Sequence, residues 1–237
     1  MGSAVKKNIE FKIKKVVPSF KKDEIRFRQR CYTGISISNP FFSGDLVVPF
    51  FKWILRNFKF CCIFIDDYFH KYNEMSFSGK SEAESLKIAK KRGVEIEEHI
   101  NGVIKKTFDD AYRFKIVKSS DLSKSDNFKR NKKIFSDLFN ENSQFKSGIN
   151  KSSSDYIKRQ LKRGNHFLID RTEVLQNCNN YLIDEIAIFT TICELGYTVE
   201  VYPGPELPVL VEIANGVYDN IPEALVNRIN VELKLKK

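Results

Sequence analysis

Apolar and polar positions along this chain change period several times, and each change marks an element. Residues 9–18, IEFKIKKVVP, alternate with period two, which suits an edge strand or a basic arm. CYTGIS (31–36) and FCCIFID (60–66) are short, nearly continuous apolar runs, the pattern of strands buried on both faces. After a turn at Ser43-Gly44-Asp45, DLVVPFFKWILRNF (45–58) takes on helical spacing, with Pro49 tolerated near its start. Long helices are predicted from about Ser81 to Phe108 and from about Thr172 to Leu195, the second closed by Gly196. YRFKIVK (112–118), YTVEVY (197–202) and INVELKL (229–235) read as further strands. LPVLVEI (207–213) fits a strand or a helix, and Pro222 opens a short helix. Residues 119–155 are polar, which predicts mobile loops, above all at SGINKSSSD (147–155), around a helical patch near 131–140.

Strands alternating with helices predict an α/β fold, a mostly parallel sheet covered on both faces. Ligands of such sheets sit beyond the carboxyl ends of the strands. Ser36, Asp66 and Tyr202 each stand at such an end.

Composition narrows the picture. No run of about eighteen apolar residues is present, so no membrane-spanning helix is expected. The N-terminus lacks a signal-peptide layout, and its Met-Gly start carries Lys6 where a myristoylation signal has Ser or Thr. Cys31, Cys61, Cys62, Cys178 and Cys193 form no CxxC pair and lie in apolar segments, which predicts reduced, buried thiols and a cytoplasmic location. His70, His99 and His166 are too scattered for a metal site. The net charge is +10, of which residues 1–30 carry +7. A polyanionic partner and a merely solvated lysine-rich surface account for that charge equally well.

The common nucleotide signatures, GxGxxG and GxxxxGK[ST], are missing, and so is the GxSxG elbow. Dinucleotide dehydrogenases, P-loop enzymes and ordinary serine hydrolases lose support. In YLIDEIAIF (181–189), Tyr181 and Glu185 share one helical face, and Glu185 interrupts an apolar stretch. A carboxylate buried there needs a cationic partner, either an ammonium ligand or a lysine or arginine of the protein. In VEVYPGPELP (199–208), Tyr202 closes a strand whose ladder Pro203 ends. Alternation puts Glu200 on the face of Tyr202 and turns Val199 and Val201 away.

The order GIS-xx-NPFF (34–42), YLIDE (181–185) and VYP (201–203), with IFIDDYFHKYNEM and SGKSEAES between the first two, resembles the cyclodipeptide synthases. The resemblance spans about residues 29–203. It implies a Rossmann-like single domain over 29–237, similar to the catalytic domain of class I aminoacyl-tRNA synthetases, with 1–28 as a basic arm or edge strand packed on it. It implies a tRNA-dependent aminoacyltransferase that needs neither ATP nor a cofactor and draws on two aminoacyl-tRNAs. By the resemblance Ser36 is the nucleophile. Tyr181 and Glu185 hold the substrate amino group, and Tyr202 relays a proton. Gly34, Asn39, Tyr32, Ile188 and Glu200 line the substrate site. A cytoplasmic monomer with no membrane contact is expected.

Tyr202-Pro203 points to the subgroup that carries Tyr-Pro, although Asn39 is the residue of the other large subgroup. Arg30 stands where the family often has His, and Ala187 where Pro is frequent.

The chemistry fits the residues. An aminoacyl ester is already activated, and ester-to-amide conversion is downhill. On the first long helix Lys80, Lys87, Lys91 and Lys105 fall within about 20° of one line. Lys90 adjoins that stripe, and Ala89, Ile96 and Ile100 lie opposite. With the resemblance the stripe reads as a tRNA surface; alone it more often marks a solvated face. Lys129, Arg130, Lys132, Lys133, Lys158, Arg159, Lys162 and Arg163 are further candidates for phosphate contacts. The alternative function is a noncatalytic tRNA- or RNA-binding protein on a synthetase-like fold.

Overall fold

The computed structural model describes residues 9–236. Residues 1–8, with the Met-Gly start and the first lysines of the basic segment, and residue 237 lie outside the described residues. Six strands, β1 (Phe11–Val17), β2 (Arg30–Ser36), β3 (Phe60–Asp66), β4 (Phe114–Lys118), β5 (Val199–Tyr202) and β6 (Ile229–Leu235), form one sheet in the order β1-β6-β5-β2-β3-β4. Only β1 runs antiparallel to its neighbour, β6; the other pairs are parallel. Residues 11–17 are therefore an edge strand.

The chain goes from β2 outward to β3 and β4, then returns to the other side of β2 to lay down β5 and β6. The carboxyl ends of β2 and β5 flank the point where the direction reverses, and a crevice opens at such a switch point.

Nine α-helices are described. The alternating sheet residues feed two cores. Cys31, Ile35, Ile63, Val199, Val201, Ile229 and Val231 face α1 (Val47–Asn57) and α3 (Glu82–Thr107). Tyr32, Cys62 and Phe64 face α7 (Arg171–Glu194) and the helices around it. Helix α3 begins with a capping box, the Ser81 hydroxyl on the Glu84 N–H and the Glu84 carboxylate on the Ser81 N–H. Asp170 caps α7 through the N–H groups of Thr172 and Glu173. That helix ends where Gly196 turns left-handed at φ +86°. Residues 208–214, ambiguous by pattern, form helix α8 (Pro208–Ala214), and α9 (Glu223–Val226) follows Pro222.

The expectation of mobile loops over 119–155 is corrected. The segment holds α4 (Ser119–Leu122), α5 (Asp126–Glu141) and most of α6 (Ser143–Lys162). Ser125 and Asn142 cap the two longer helices by accepting from Phe128 and Phe145 N–H groups. Phe128, Phe135, Phe145 and Ile149 bury against α7. The buried face of α6 has helical spacing but is written largely in small residues, Gly148, Ser152 and Ser153. A Cβ at Gly148 would lie 2.2 Å from the Tyr218 hydroxyl, so the helix packs there only because the side chain is absent. Helix α2 (Lys71–Ser78), which lacks an apolar stripe, has no counterpart in the sequence reading.

Candidate active site

A cavity of about 670 Å³ opens at the switch point. Ser36 from the end of β2, Asp66 from the end of β3 and Tyr202 from the end of β5 reach it together. Ser36 and Asp66 are register partners across the β2–β3 pair. Helix α7 supplies Tyr181 and Glu185 one turn apart, α6 supplies Arg159, and Arg163 follows at the C-cap of α6. Gly34, Asn39 and Glu200 complete the set.

Beyond Ser36 the chain turns tightly, with the Asn39 N–H on the Ser36 carbonyl at 2.9 Å. The Ser36 hydroxyl lies 3.4 Å from the Ser38 hydroxyl and is otherwise free among the described residues. The Asn39 amide serves two elements. Its oxygen accepts from the Phe41 N–H at 3.1 Å and caps the 3-10 turn Pro40–Ser43, while its nitrogen donates to the Tyr202 hydroxyl at 3.2 Å. Burial raises the Tyr202 pKa, and the Asn39 bond partly offsets that rise.

Acidic side chains gather along the cavity. Tyr181 donates to Asp66 at 2.9 Å, and Asp66 also accepts from the His70 N–H at 3.1 Å. Burial pushes the Asp66 carboxyl up to about 7, against the opposing pull of His70 and the Tyr181 bond. Glu185 forms no hydrogen bond or ion pair among the described residues. Burial first, and then Asp66, Glu200 and Glu206, hold its pKa well above the usual range, while Arg228 pulls it down. Of the two partners weighed for Glu185, the described residues supply no direct one, which leaves room for a ligand cation.

Asp66 carries a testable pH dependence. The folded state holds the Asp66 proton more tightly than the unfolded chain does. Its contribution to stability is therefore complete below about pH 4 and lost as the pH rises through about 7. Asp66→Asn removes that loss. Urea titrations should find the variant the more stable protein at pH 8, by up to about 4 kcal/mol relative to the difference at pH 4. A difference that does not change with pH would contradict the assignment.

Two residues expected at the substrate site do not reach the cavity. Tyr32 is fully buried, and its hydroxyl accepts from Arg228 Nε at 2.7 Å. Ile188, nearly one turn past Glu185, points into the core. Glu200 does reach the cavity, and it also pairs with a protein cation, Arg228. Glu206 and Arg228 were not foreseen. Arg228 lies 28 residues from Glu200, and nothing local marks it beyond a charge ahead of an apolar strand. Asp66 was visible as an acid at a strand end.

Lys87, Lys90, Lys91 and Lys105 are exposed along α3, while Ala89 and Ile100 are buried; Lys80, expected on the same helix, is exposed but precedes the Ser81 N-cap and so stands outside α3. The middle of α3 rests on the end of β3, where a Cβ at Gly93 would lie 2.4 Å from the Asp67 Cβ. Asp67 is in turn fixed by Ser119 and Ser120, whose hydroxyls donate at 3.0 and 2.7 Å. All five cysteines are free and buried. No described helix is long and apolar enough to cross a membrane.

A family model described as Cyclodipeptide synthase matches residues 22–220. No curated protein matches the chain. The fold is that of a cyclodipeptide synthase from Fluoribacter dumoffii, at a TM-score of 0.80 and 21% identity, covering 97% of this chain and 100% of that one. It is also similar to a cyclodipeptide synthase from Candidatus Glomeribacter gigasporarum bound to Phe-tRNAPhe (TM-score 0.56, 16% identity, 88% and 89% covered). The tyrosyl-tRNA synthetase of Leishmania major matches at a TM-score of 0.56 and 13% identity, over 93% of this chain but 29% of its own length.

Proposed function

Because this chain belongs to the cyclodipeptide synthase family, we propose that it condenses the acyl groups of two aminoacyl-tRNAs into a cyclic dipeptide by ping-pong transfer through an ester on Ser36. The observation that carries the reading is the gathering of Ser36, Asn39, Tyr202, Tyr181 and Glu185, from distant parts of the chain, around one cavity. A relative with bound Phe-tRNA supports aminoacyl-tRNA as the substrate.

In the first half-reaction the Ser36 hydroxyl attacks the aminoacyl ester. The tRNA ribose oxygen leaves with the serine proton, and the acyl group stays as an ester. Glu185, beside the Tyr181 hydroxyl, takes the substrate ammonium; a cation there lowers the energy of ionising a carboxylate that otherwise lacks a partner. The bound amine, once deprotonated, attacks the second aminoacyl-tRNA and releases its tRNA. The new amine then attacks the Ser36 ester, closing a six-membered diketopiperazine ring and returning the hydroxyl. Tyr202, held by Asn39, stands where a proton can pass between amine and leaving oxygen. Every step exchanges an ester for an ester or an amide, so neither ATP nor a cofactor is required. We read the chain with the Tyr-Pro subgroup on Tyr202-Pro203.

The α3 stripe supplies the tRNA contacts in this reading. Replacing Lys87, Lys91 and Lys105 together by Glu should weaken aminoacyl-tRNA binding and flatten its salt dependence. The slope of log K against log salt should drop by about 2–3, one contact contributing about 0.7–0.9. Filter binding at several salt concentrations measures it, and an unchanged slope removes α3 from the interface. A noncatalytic RNA-binding protein would also use this stripe, but it has no use for a free Ser36 hydroxyl facing an unpaired Glu185. Incubation with a charged tRNA pool, followed by mass spectrometry for diketopiperazines, decides between the two.

A further inference from the structure

We infer that one of the two amino acids joined here carries a side chain ending in a hydrogen-bond donor, a basic one above all, seated against the free carboxylate oxygen of Glu200. The inference rests on the reaction proposed above and names its substrate class.

Gly34, Glu200, Tyr202 and Asn230 all line the cavity, while Val199, Val201, Ile229 and Val231 turn to the opposite core. A Cβ at Gly34 would meet only Phe64 Cδ1 at 3.8 Å and Glu200 Oε1 at 3.9 Å. The missing side chain thus opens a space bounded on one side by a carboxylate oxygen, two residues before Ser36.

The two oxygens of Glu200 are not equivalent. Oε2 accepts from Arg228 Nη2 and from Asn230 Nδ2, the latter at 3.3 Å. Oε1 accepts no hydrogen bond from the described residues. Arg228 directs its N–H groups elsewhere: Nε donates to Tyr32 at 2.7 Å and Nη1 stands 2.6 Å from Glu206 Oε2. The Asn230 nitrogen donates to Glu200 Oε2, and its oxygen is buried away from the cavity. The wall therefore offers one unanswered acceptor, Glu200 Oε1.

Charge points the same way. One guanidinium, Arg228, faces two carboxylates, Glu200 and Glu206. In formal charge one carboxylate is left over for that single cation. The substrate α-amino group is matched to Glu185, so the excess at Glu200 is available to the side chain. An aliphatic or phenyl side chain would displace water from Glu200 Oε1 and return nothing, a loss of the kind that lets a polar site reject an apolar analogue strongly. An ammonium, guanidinium or imidazolium group would satisfy that oxygen and the charge together.

The test is the product spectrum from a complete charged tRNA pool, read by mass spectrometry for wild type, Glu200→Gln, and Glu200→Leu combined with Arg228→Met. Wild type is expected to give cyclic dipeptides containing Lys, Arg or His foremost. The double variant should lower the ratio of basic to apolar products at least tenfold. Glu200→Gln, which keeps the shape and the acceptor but not the charge, should lower the basic products relative to those with amide or hydroxyl side chains. It serves alone if the double variant fails to fold. Cyclic dipeptides from wild type that are wholly apolar, or a spectrum that neither variant alters, overturn the inference and leave the reaction standing. No cyclic dipeptide from wild type overturns both.

Discussion

Ser36→Ala should lose cyclic dipeptide synthesis by at least about 10³-fold and should form no covalent aminoacyl adduct. The protein should remain folded. In the structure the Ser36 hydroxyl touches only Ser38, at 3.4 Å, and the turn that follows is capped by Asn39 instead. Losing one long, half-exposed contact costs at most about 1 kcal/mol. Intact-protein mass spectrometry after mixing with charged tRNA reads the adduct, and thermal unfolding reads the fold. A stable Ser36→Ala protein that still makes product would remove the serine ester from the pathway. An adduct mapped to Ser38 would move the nucleophile by two residues.

Glu185→Gln should cut turnover by about 10²–10³-fold, the scale of losing one well-placed electrostatic partner in a site shielded from water. Its effect on stability should be opposite in sign. The Glu185 pKa is raised by burial and by the acids around it, so ionising the carboxyl in the folded protein is unfavourable. Glutamine has nothing to ionise. The variant should therefore be the more stable protein at pH 8, with the advantage shrinking as the pH falls and the wild-type carboxyl takes up its proton. Turnover and urea midpoints at pH 6 and pH 8 measure both. A variant that keeps its turnover would return Glu185 to a structural role. One that is inactive and also destabilised at pH 8 would show that an unobserved partner holds it.

These predictions join a residue readable from sequence to surroundings that were not. Ser36 and Tyr202 were legible as strand ends and Tyr181 and Glu185 as a shared helical face, whereas Asn39, and the role of each, came only with the family resemblance. Their meeting at one cavity follows from strand order, and an α/β pattern limits that order to few choices. Strand alternation placed Glu200 on the cavity face correctly. It gave no view of Arg228, which neutralises part of that charge from another strand's approach. Alternation also explains why Tyr32 misled. It shares a face with Gly34 and Ser36, yet lies deeper along β2, where Arg228 and the core cover it. The long helices announced themselves through caps and apolar spacing, whereas α6 packs through Gly and Ser, residues whose usual meaning is a loop.

The sheet edge sets a clock on how the chain can be built. Strand β6 sits between β1 and β5, and the contacts that seat β1 join residues such as Lys14 and Glu232, 218 positions apart. During synthesis β1 leaves the ribosome early and has no neighbour until β6 follows. At about 5–20 residues per second that wait is roughly 10–45 seconds. An unpaired strand is a template for other chains over that interval, and the lysines of FKIKKVV are the residues that discourage such pairing. Replacing Lys12 and Lys15 with threonine, and keeping Lys14 on Glu232, should leave the finished sheet paired while increasing the fraction of newly made protein that aggregates, and comparing soluble yield from fast and slow expression would reveal it.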